Sequence, residues 1–181
     1  MRISENPGLF RTRQCHNYFG LKMRTTKELN ILIAEDNPDD VFILREAFRK
    51  AGVRHRIQEA CDGADAMAYL RGDGGYADRM RHPFPDVLLL DLNMPRMNGF
   101  ELLEWLRQDE HCRRLVVHVL TASCREADVE HAYELGANSY LLKPGRMDEL
   151  VALITALERW HQFLCLPSNA GIERAVGQAT F

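Results

Sequence analysis

The chain has no apolar run approaching the roughly 20 residues of a membrane span, and no apolar core of the signal-peptide kind near its amino terminus. It has no internal repeat, no C-x-x-C pair and no Cys/His spacing suited to zinc. Its five cysteines (Cys15, Cys61, Cys112, Cys124 and Cys165) are scattered and read as reduced thiols of a cytoplasmic protein. Membrane-spanning, disulfide-scaffold and zinc-module readings therefore have nothing to stand on. What is present is an ordinary globular composition, 46% hydrophobic and 27% charged. Over 181 residues that is enough for one domain with a real core and some excess.

The net charge of −3 is unevenly spread. Residues 1–28 carry six basic against two acidic residues, residues 29–166 carry sixteen against twenty-three, and the last fifteen balance. The first 28 residues lack periodicity and read as a flexible basic extension, with Met23 an alternative start; removing 1–22 is expected to leave the domain's stability unchanged. Residues 167–181 are too few for an independent domain, which leaves 29–166 as the folded unit.

Within that unit four short apolar runs each end in a polar residue of a different kind. Ile31-Leu32-Ile33-Ala34 stops at Glu35-Asp36, and Val87-Leu88-Leu89-Leu90 stops at Asp91. Val116-Val117-His118-Val119-Leu120 stops at Thr121, and Tyr140-Leu141-Leu142 stops at Lys143-Pro144. Continuous Val/Ile/Leu runs of this length predict strands buried on both faces, as in a parallel sheet. With a strand over 54–60, the pattern alternates strand and helix five times, which predicts an α/β domain built on a doubly wound parallel sheet. The helices are expected at about 38–51, 63–70, 99–108, from Ser123 to Gly136, and 147–164. Asn37-Pro38 caps the first, and Ser123-Cys124-Arg125-Glu126 has a capping-box pattern for the fourth. The connection over 71–86, with three glycines and two prolines, reads as a surface loop.

Ligands of such sheets bind beyond the carboxyl ends of the strands. That edge gathers three carboxylates (Glu35, Asp36, Asp91), the Thr121 hydroxyl and the Lys143 ammonium. Three close carboxylates repel, and a hard divalent cation such as magnesium, which adds phosphate oxygens and waters, relieves the repulsion. A carboxylate can also act as nucleophile toward phosphorus, with Lys143 and the metal neutralising charge on the equatorial oxygens. Alone, Asp91 would read as a turn residue; in this ordered set it reads as a phosphoryl acceptor.

The segments Glu35-Asp36-Asn37, Asp91-Leu92-Asn93-Met94-Pro95 with Asn98-Gly99, Leu120-Thr121-Ala122, and Gly136 through Pro144 resemble those of receiver domains of bacterial two-component response regulators. The resemblance spans roughly residues 29–165 and implies the flavodoxin-like (βα)5 fold. It implies a phosphoacceptor Asp91 served by a sensor histidine kinase, and Mg2+ held by Glu35, Asp36, Asp91 and the Asn93 main-chain carbonyl. Lys143 would contact the phosphoryl group, Thr121 would shift toward it, and Tyr140 would be the aromatic switch that turns inward. A cis peptide at Lys143–Pro144 is also implied. Asn37-Pro38, the long loop before the third strand, Trp160 and Leu166-Pro167 are similar to single-domain receivers serving phytochrome-type kinases.

Other positions stay open at this level. His118 reads either as a packed neutral core histidine or as a pH sensor, Cys124 as a small side chain or an accessible thiol, and Arg146 as a cation near the site or a solvated one. Met94, Met97 and Trp105 read as packing residues, and Arg113-Arg114 as a solvated pair.

Three functional classes compete. A phosphorylation switch acting by protein contact, a phosphate sink and a relay intermediate share the same residues. A magnesium-dependent aspartate-nucleophile phosphohydrolase of the haloacid-dehalogenase type usually needs a second aspartate two residues on as acid/base, where this chain has Asn93. A degenerate, phosphate-independent module would have lost the acidic pair, the acceptor or the lysine, all retained here. The expected readout surface is the fourth helix, fifth strand and fifth helix, with a possible homodimer near Trp160. No segment remains to build a helix-turn-helix for direct nucleic-acid contact.

Overall fold

The computed structural model describes residues 28–163. The expectations for the basic extension, Met23, Cys15, Leu164, Cys165 and Leu166-Pro167 therefore lie outside the described residues.

The elements run β1 (Asn30–Ala34), α1 (Pro38–Lys50), β2 (Arg56–Ala60), α2 (Gly63–Arg71), β3 (Val87–Leu90), α3 (Gly99–Gln108), β4 (Val116–Thr121), α4 (Glu126–Glu134), β5 (Ser139–Leu142) and α5 (Met147–His161). All strand pairs are parallel, in the order β2-β1-β3-β4-β5, so β2 and β5 are the sheet edges. The order reverses between β1 and β3, the switch point at which open sheets of this type leave a crevice.

Side-chain alternation along the strands divides the core in two. Leu32, Leu88, Leu90, Val117 and Val119 pack with Tyr69 and Leu70 of α2, Leu102, Leu103 and Leu106 of α3, and Ala132 of α4. Ile31, Ile33, Val87, Leu89 and Leu120 pack with Leu44, Ala47 and Phe48 of α1 and Leu150 and Ile154 of α5. Because the three central strands are covered on both faces, their sequences are apolar without interruption, apart from His118.

The helix starts are fixed by local chemistry. Asn37 Oδ1 accepts the Asp39 amide at 3.0 Å, with Pro38 in the first turn of α1. Asn98 and Glu101 form a reciprocal capping box on α3. Gly99 must be glycine, since a Cβ there would stand 2.3 Å from the Asp91 carbonyl oxygen.

Two expectations need correction, and a third gains detail. Helix α4 begins at Glu126, not Ser123, and has no side-chain cap. The segment before it is tied elsewhere: the Tyr140 hydroxyl donates to the Ser123 carbonyl, the Ser123 amide to Thr121 Oγ1, and the Ser123 hydroxyl to Asp128. Cys124 is thus an exposed loop residue rather than part of a first helical turn. The 71–86 connection lies on the surface as expected, and it is braced from within. It holds a 3-10 turn at Gly74–Tyr76, and the Arg79 guanidinium binds the Tyr69, Leu70 and His82 carbonyls. Finally, the Lys143–Pro144 bond is trans, since the described residues contain no cis peptide. The lysine reaches the strand ends without it, and trans is the lower-energy isomer of an X–Pro bond.

Candidate functional site

The sheet ladder carries the site residues beyond the strands. The Glu35 amide donates to the Ala60 carbonyl at 3.0 Å and the Asp91 amide to the Ala34 carbonyl at 3.0 Å. The Lys143 amide donates to the Thr121 carbonyl at 2.8 Å. With Ala34 opposite Leu90, Leu90 opposite Val119 and Thr121 opposite Leu142, the residues at the strand ends gather along one edge, β4 reaching furthest. A one-residue slip in any strand would turn these side chains away.

Glu35, Asp36 and Asp91 each place a carboxylate oxygen so that all three atoms lie within 4.8 Å of one another. Glu35 and Asp91 are buried while Asp36 is exposed, which leaves the group open on one side. The Asn93 amide donates to Asp91 Oδ2 at 2.8 Å, so the turn after β3 folds back over the carboxylate. Arg96, in the left-handed region at φ 63°, forms an ion pair with Asp62, the N-cap of α2, and ties this turn to the neighbouring loop.

Lys143 Nζ stands among three carboxylates: Glu35 Oε2, Asp40 Oδ2 at 3.0 Å and Asp91 Oδ1 at 3.4 Å. Burial opposes the ammonium charge, but hydrogen bonds to Glu35 and Asp40 and the charges of Asp91 and Glu35 outweigh it, and its pKa is raised to about 12. Burial pushes the Glu35 carboxyl above its ordinary range against the lowering influence of Lys143. With one ammonium for four carboxylates, the pocket lacks positive charge, and a hard divalent cation on the Glu35/Asp36/Asp91 oxygens supplies it. The donor set fits such an ion.

Thr121 is fully buried at the end of β4. Tyr140 is half-buried against the core, its hydroxyl 3.0 Å from the Ser123 carbonyl, so Tyr140 and Thr121 are joined through the Thr121–Ser123 segment. Glu35, Asp36, Asp91, Thr121 and Lys143 lie at this one edge, while Tyr140 sits within β5 opposite Val119. Arg146 does not join them: it is exposed and pairs with Asp148 at 2.8 Å. Asp40 is the residue that sequence reasoning missed. It is the third residue of α1, and the Asn37-Pro38 start gave the signal by placing it in the first turn, above the strand ends.

A parallel sheet with an acidic triad, a buried threonine and a lysine at its carboxyl edge is the arrangement expected of a receiver domain, and position 93 carries asparagine where the hydrolase reading needs an aspartate. The response regulator receiver domain family matches residues 31–155, and the chain belongs to that family. It is 34% identical over 139 residues to the response regulator Rcp1 of Synechocystis sp., covering 76% of this chain and 92% of that one. A solved structure of Rcp1 in its Mn(2+)-bound form superposes with a TM-score of 0.68, covering 77% of this chain and 99% of that one. The phosphorylated cyanobacterial phytochrome response regulator RcpA is 35% identical, with a TM-score of 0.71 over 78% of this chain and all of that one. A response regulator in red light signaling of R. palustris is 38% identical, with a TM-score of 0.72 over 77% of this chain and 99% of that one. The chain is thus a two-component response regulator by family, and receivers of this family bind a divalent metal at the acidic pocket. Among the described residues no helix is long and apolar enough to cross a membrane.

Proposed function

We propose that this chain, through a receiver domain spanning 29–166, takes a phosphoryl group onto Asp91 from the phosphohistidine of a sensor histidine kinase in the cytoplasm. The observation that carries this reading is Lys143 Nζ standing 3.4 Å from Asp91 Oδ1, with oxygens of Glu35 and Asp36 gathered within 4.8 Å of the same carboxylate. An Asp91 oxygen attacks phosphorus, the P–N bond breaks, and the imidazole leaves with its electron pair. Mg2+, held by Glu35, Asp36, Asp91 and the Asn93 main-chain carbonyl, supplies charge neutralisation when bound. Lys143 neutralises a phosphoryl oxygen, and Asn93, whose amide binds Asp91 Oδ2, keeps the carboxylate aimed. Thr121 then moves to bind a phosphoryl oxygen, which draws on Ser123 and so on the Tyr140 hydroxyl. Packed elements have discrete arrangements, so the shift passes to the α4–β5–α5 face.

Similarity to phytochrome response regulators supports a phytochrome-type kinase as the donor. On the readout face Leu142, Trp160 and Phe163 are exposed apolar side chains, which supports a protein partner or a homodimer strengthened by phosphorylation. Acetyl phosphate with Mg2+ should add one phosphoryl group to the wild type and none to Asp91→Asn. A variant still gaining an acid-stable, hydroxylamine-labile phosphate refutes the acceptor. Sedimentation with and without beryllofluoride, on wild type and Trp160→Ala, tests the dimer; identical monomers throughout refute it.

A further inference from the structure

Lys143 presents three N–H donors on a flexible four-carbon stem, and each faces a carboxylate with a different fate. Glu35 belongs to the metal-binding triad. Asp91 is the acceptor and is consumed by the reaction. Asp40, whose Oδ2 lies 3.0 Å from Nζ, is neither. It stands outside the group of three carboxylates whose oxygens lie within 4.8 Å of one another. With Glu35 shared with a divalent cation and Asp91 converted to an acyl phosphate, Asp40 would be the one original partner unchanged by either event.

Asp40 is also well placed to do so. It sits in the first turn of α1, where the helix dipole favours an anion, and the Asn37 cap fixes that turn. Lys143 is carried by the loop after β5, so the contact joins two separate elements across the mouth of the site. Its charge-assisted hydrogen bond constrains a side chain that would otherwise sample many rotamers.

Building on the phosphoryl-acceptor reading of this site, we propose that Asp40 is a positioning residue that tethers Lys143 on the α1 side of Asp91, so that the ammonium already faces the incoming phosphoryl group. Asp40 acts through Lys143 and touches neither the acceptor nor the transferred group.

Its neighbour Asp39 provides a matched control, with the same charge one residue earlier and no ion pair to Lys143. The rate of aspartyl phosphate formation from acetyl phosphate and Mg2+ should fall about tenfold in Asp40→Asn, since a catalytic group displaced by about 1 Å costs up to a hundredfold and Glu35 retains part of the hold. Asp40→Glu should recover most of the rate, and Asp39→Asn should not slow it. In a Lys143→Gln background, Asp40→Asn should add less than a twofold change, because the two residues act as one unit. In metal-free protein, reductive methylation of Lys143 followed by peptide mass spectrometry should be several-fold faster in Asp40→Asn than in wild type or Asp39→Asn.

If Asp40 contributed only negative charge that repels the anionic donor, its removal would accelerate the reaction with or without Lys143, and the tether would be refuted. Equal slowing in both backgrounds, or unchanged methylation of Lys143, would refute it too. A wild type that gains no phosphoryl group on Asp91 overturns the acceptor reading and the tether with it. A normally labelled wild type with an unaffected Asp40→Asn overturns the tether alone.

Discussion

Two polar networks among the described residues, one at the carboxyl edge of the sheet and one around His118, differ in charge, in origin and in what disturbs them. At the carboxyl edge of the sheet, Lys143 is surrounded by Glu35, Asp40 and Asp91, a cluster in which anions outnumber cations. On the α1/α5 face, fully buried His118 places Nδ1 2.7 Å from Ser139 Oγ and Nε2 3.0 Å from His161 Nε2, with the Trp160 ring at 5.2 Å. Nearby, His55 Nε2 lies 2.7 Å from Glu158 Oε2. Burial, with the neighbouring His161, lowers the pKa of His118 from 6.5 to about 4, so at neutral pH this ring is uncharged. The same answers the question left open for His118: it is a packed, neutral core residue. One network is charged and built to receive further charge; in the other, burial keeps His118 uncharged.

The largest effect should come from removing the sole cation of the first network. In Lys143→Met the buried Glu35 carboxylate loses its counter-ion, and stability at pH 7 without divalent metal should fall by about 3 kcal/mol. Saturating Mg2+ should restore much of the loss by preferential binding to the folded state. The wild type also gains an alkaline signature. Because the folded pKa of Lys143 is raised from 10.5 to about 12, its contribution is complete below pH 10.5 and is lost as pH rises through 12, an effect of about 2 kcal/mol. Denaturant titrations showing the same alkaline loss in Lys143→Met would refute this coupling.

The histidine network should show the opposite sign. A histidine whose folded pKa is depressed contributes stability that is complete above pH 6.5 and lost as pH falls toward 4. For His118 alone that is about 3 kcal/mol, partly offset in the wild type by Glu35, whose raised pKa works in the other direction. The informative quantity is therefore the difference between wild type and His118→Leu from pH 6.5 to 4. The variant should be less stable at pH 7, with Ser139 and His161 unpaired, yet lose less on acidification. Parallel curves would show that His118 is protonated in the fold and that the two networks are not opposites.

The two networks were unequally legible in the sequence. The charged one follows a local rule, since each polar residue directly ends an apolar strand, and a parallel sheet aligns strand ends whatever the loops do. Glu35, Asp36, Asp91, Thr121 and Lys143 could therefore be gathered from spacing alone. Asp40 escaped because its approach depends on the rotation of α1 over the sheet. The histidine network joins residues 55, 118, 139, 158 and 161 from four parts of the chain, and nothing local links them. The start of the fourth helix was misplaced because Ser123 has the chemistry of a cap, but its amide turns back to Thr121 and its carbonyl accepts from the distant Tyr140.

A smaller effect separates backbone from side-chain control of the charged network. In Gly99→Ala the new Cβ must displace the Asp91 carbonyl, 2.3 Å away, at a cost of about 2 kcal/mol. Since the Asp91 amide and carbonyl bracket the acceptor, phosphorylation by acetyl phosphate should slow as well. Reduced stability with a wild-type rate would mean that the turn yields without moving the carboxylate. The histidine network should not respond, so the titration of His118 serves as an internal control.

The smallest effect tests whether Trp160 belongs to the neutral network or only to the surface. Its side chain is 42% exposed, yet its ring packs 5.2 Å from His118 and 5.6 Å from His161. Aromatic pairs of this kind contribute about 1 kcal/mol beyond their area burial, which is the expected loss in Trp160→Ala at pH 7. Removing the ring also admits water to His118, weakening the desolvation that depresses its pKa. The titration midpoint of His118, followed by NMR of its ring protons, should therefore rise from about 4 toward 6.5, and the acid loss of stability should shrink in step. An unchanged midpoint would mean that α5 and the sheet alone keep the histidine dry. Trp160 would then act mainly through its exposed edge, as a contact for whatever docks on the α4–β5–α5 face.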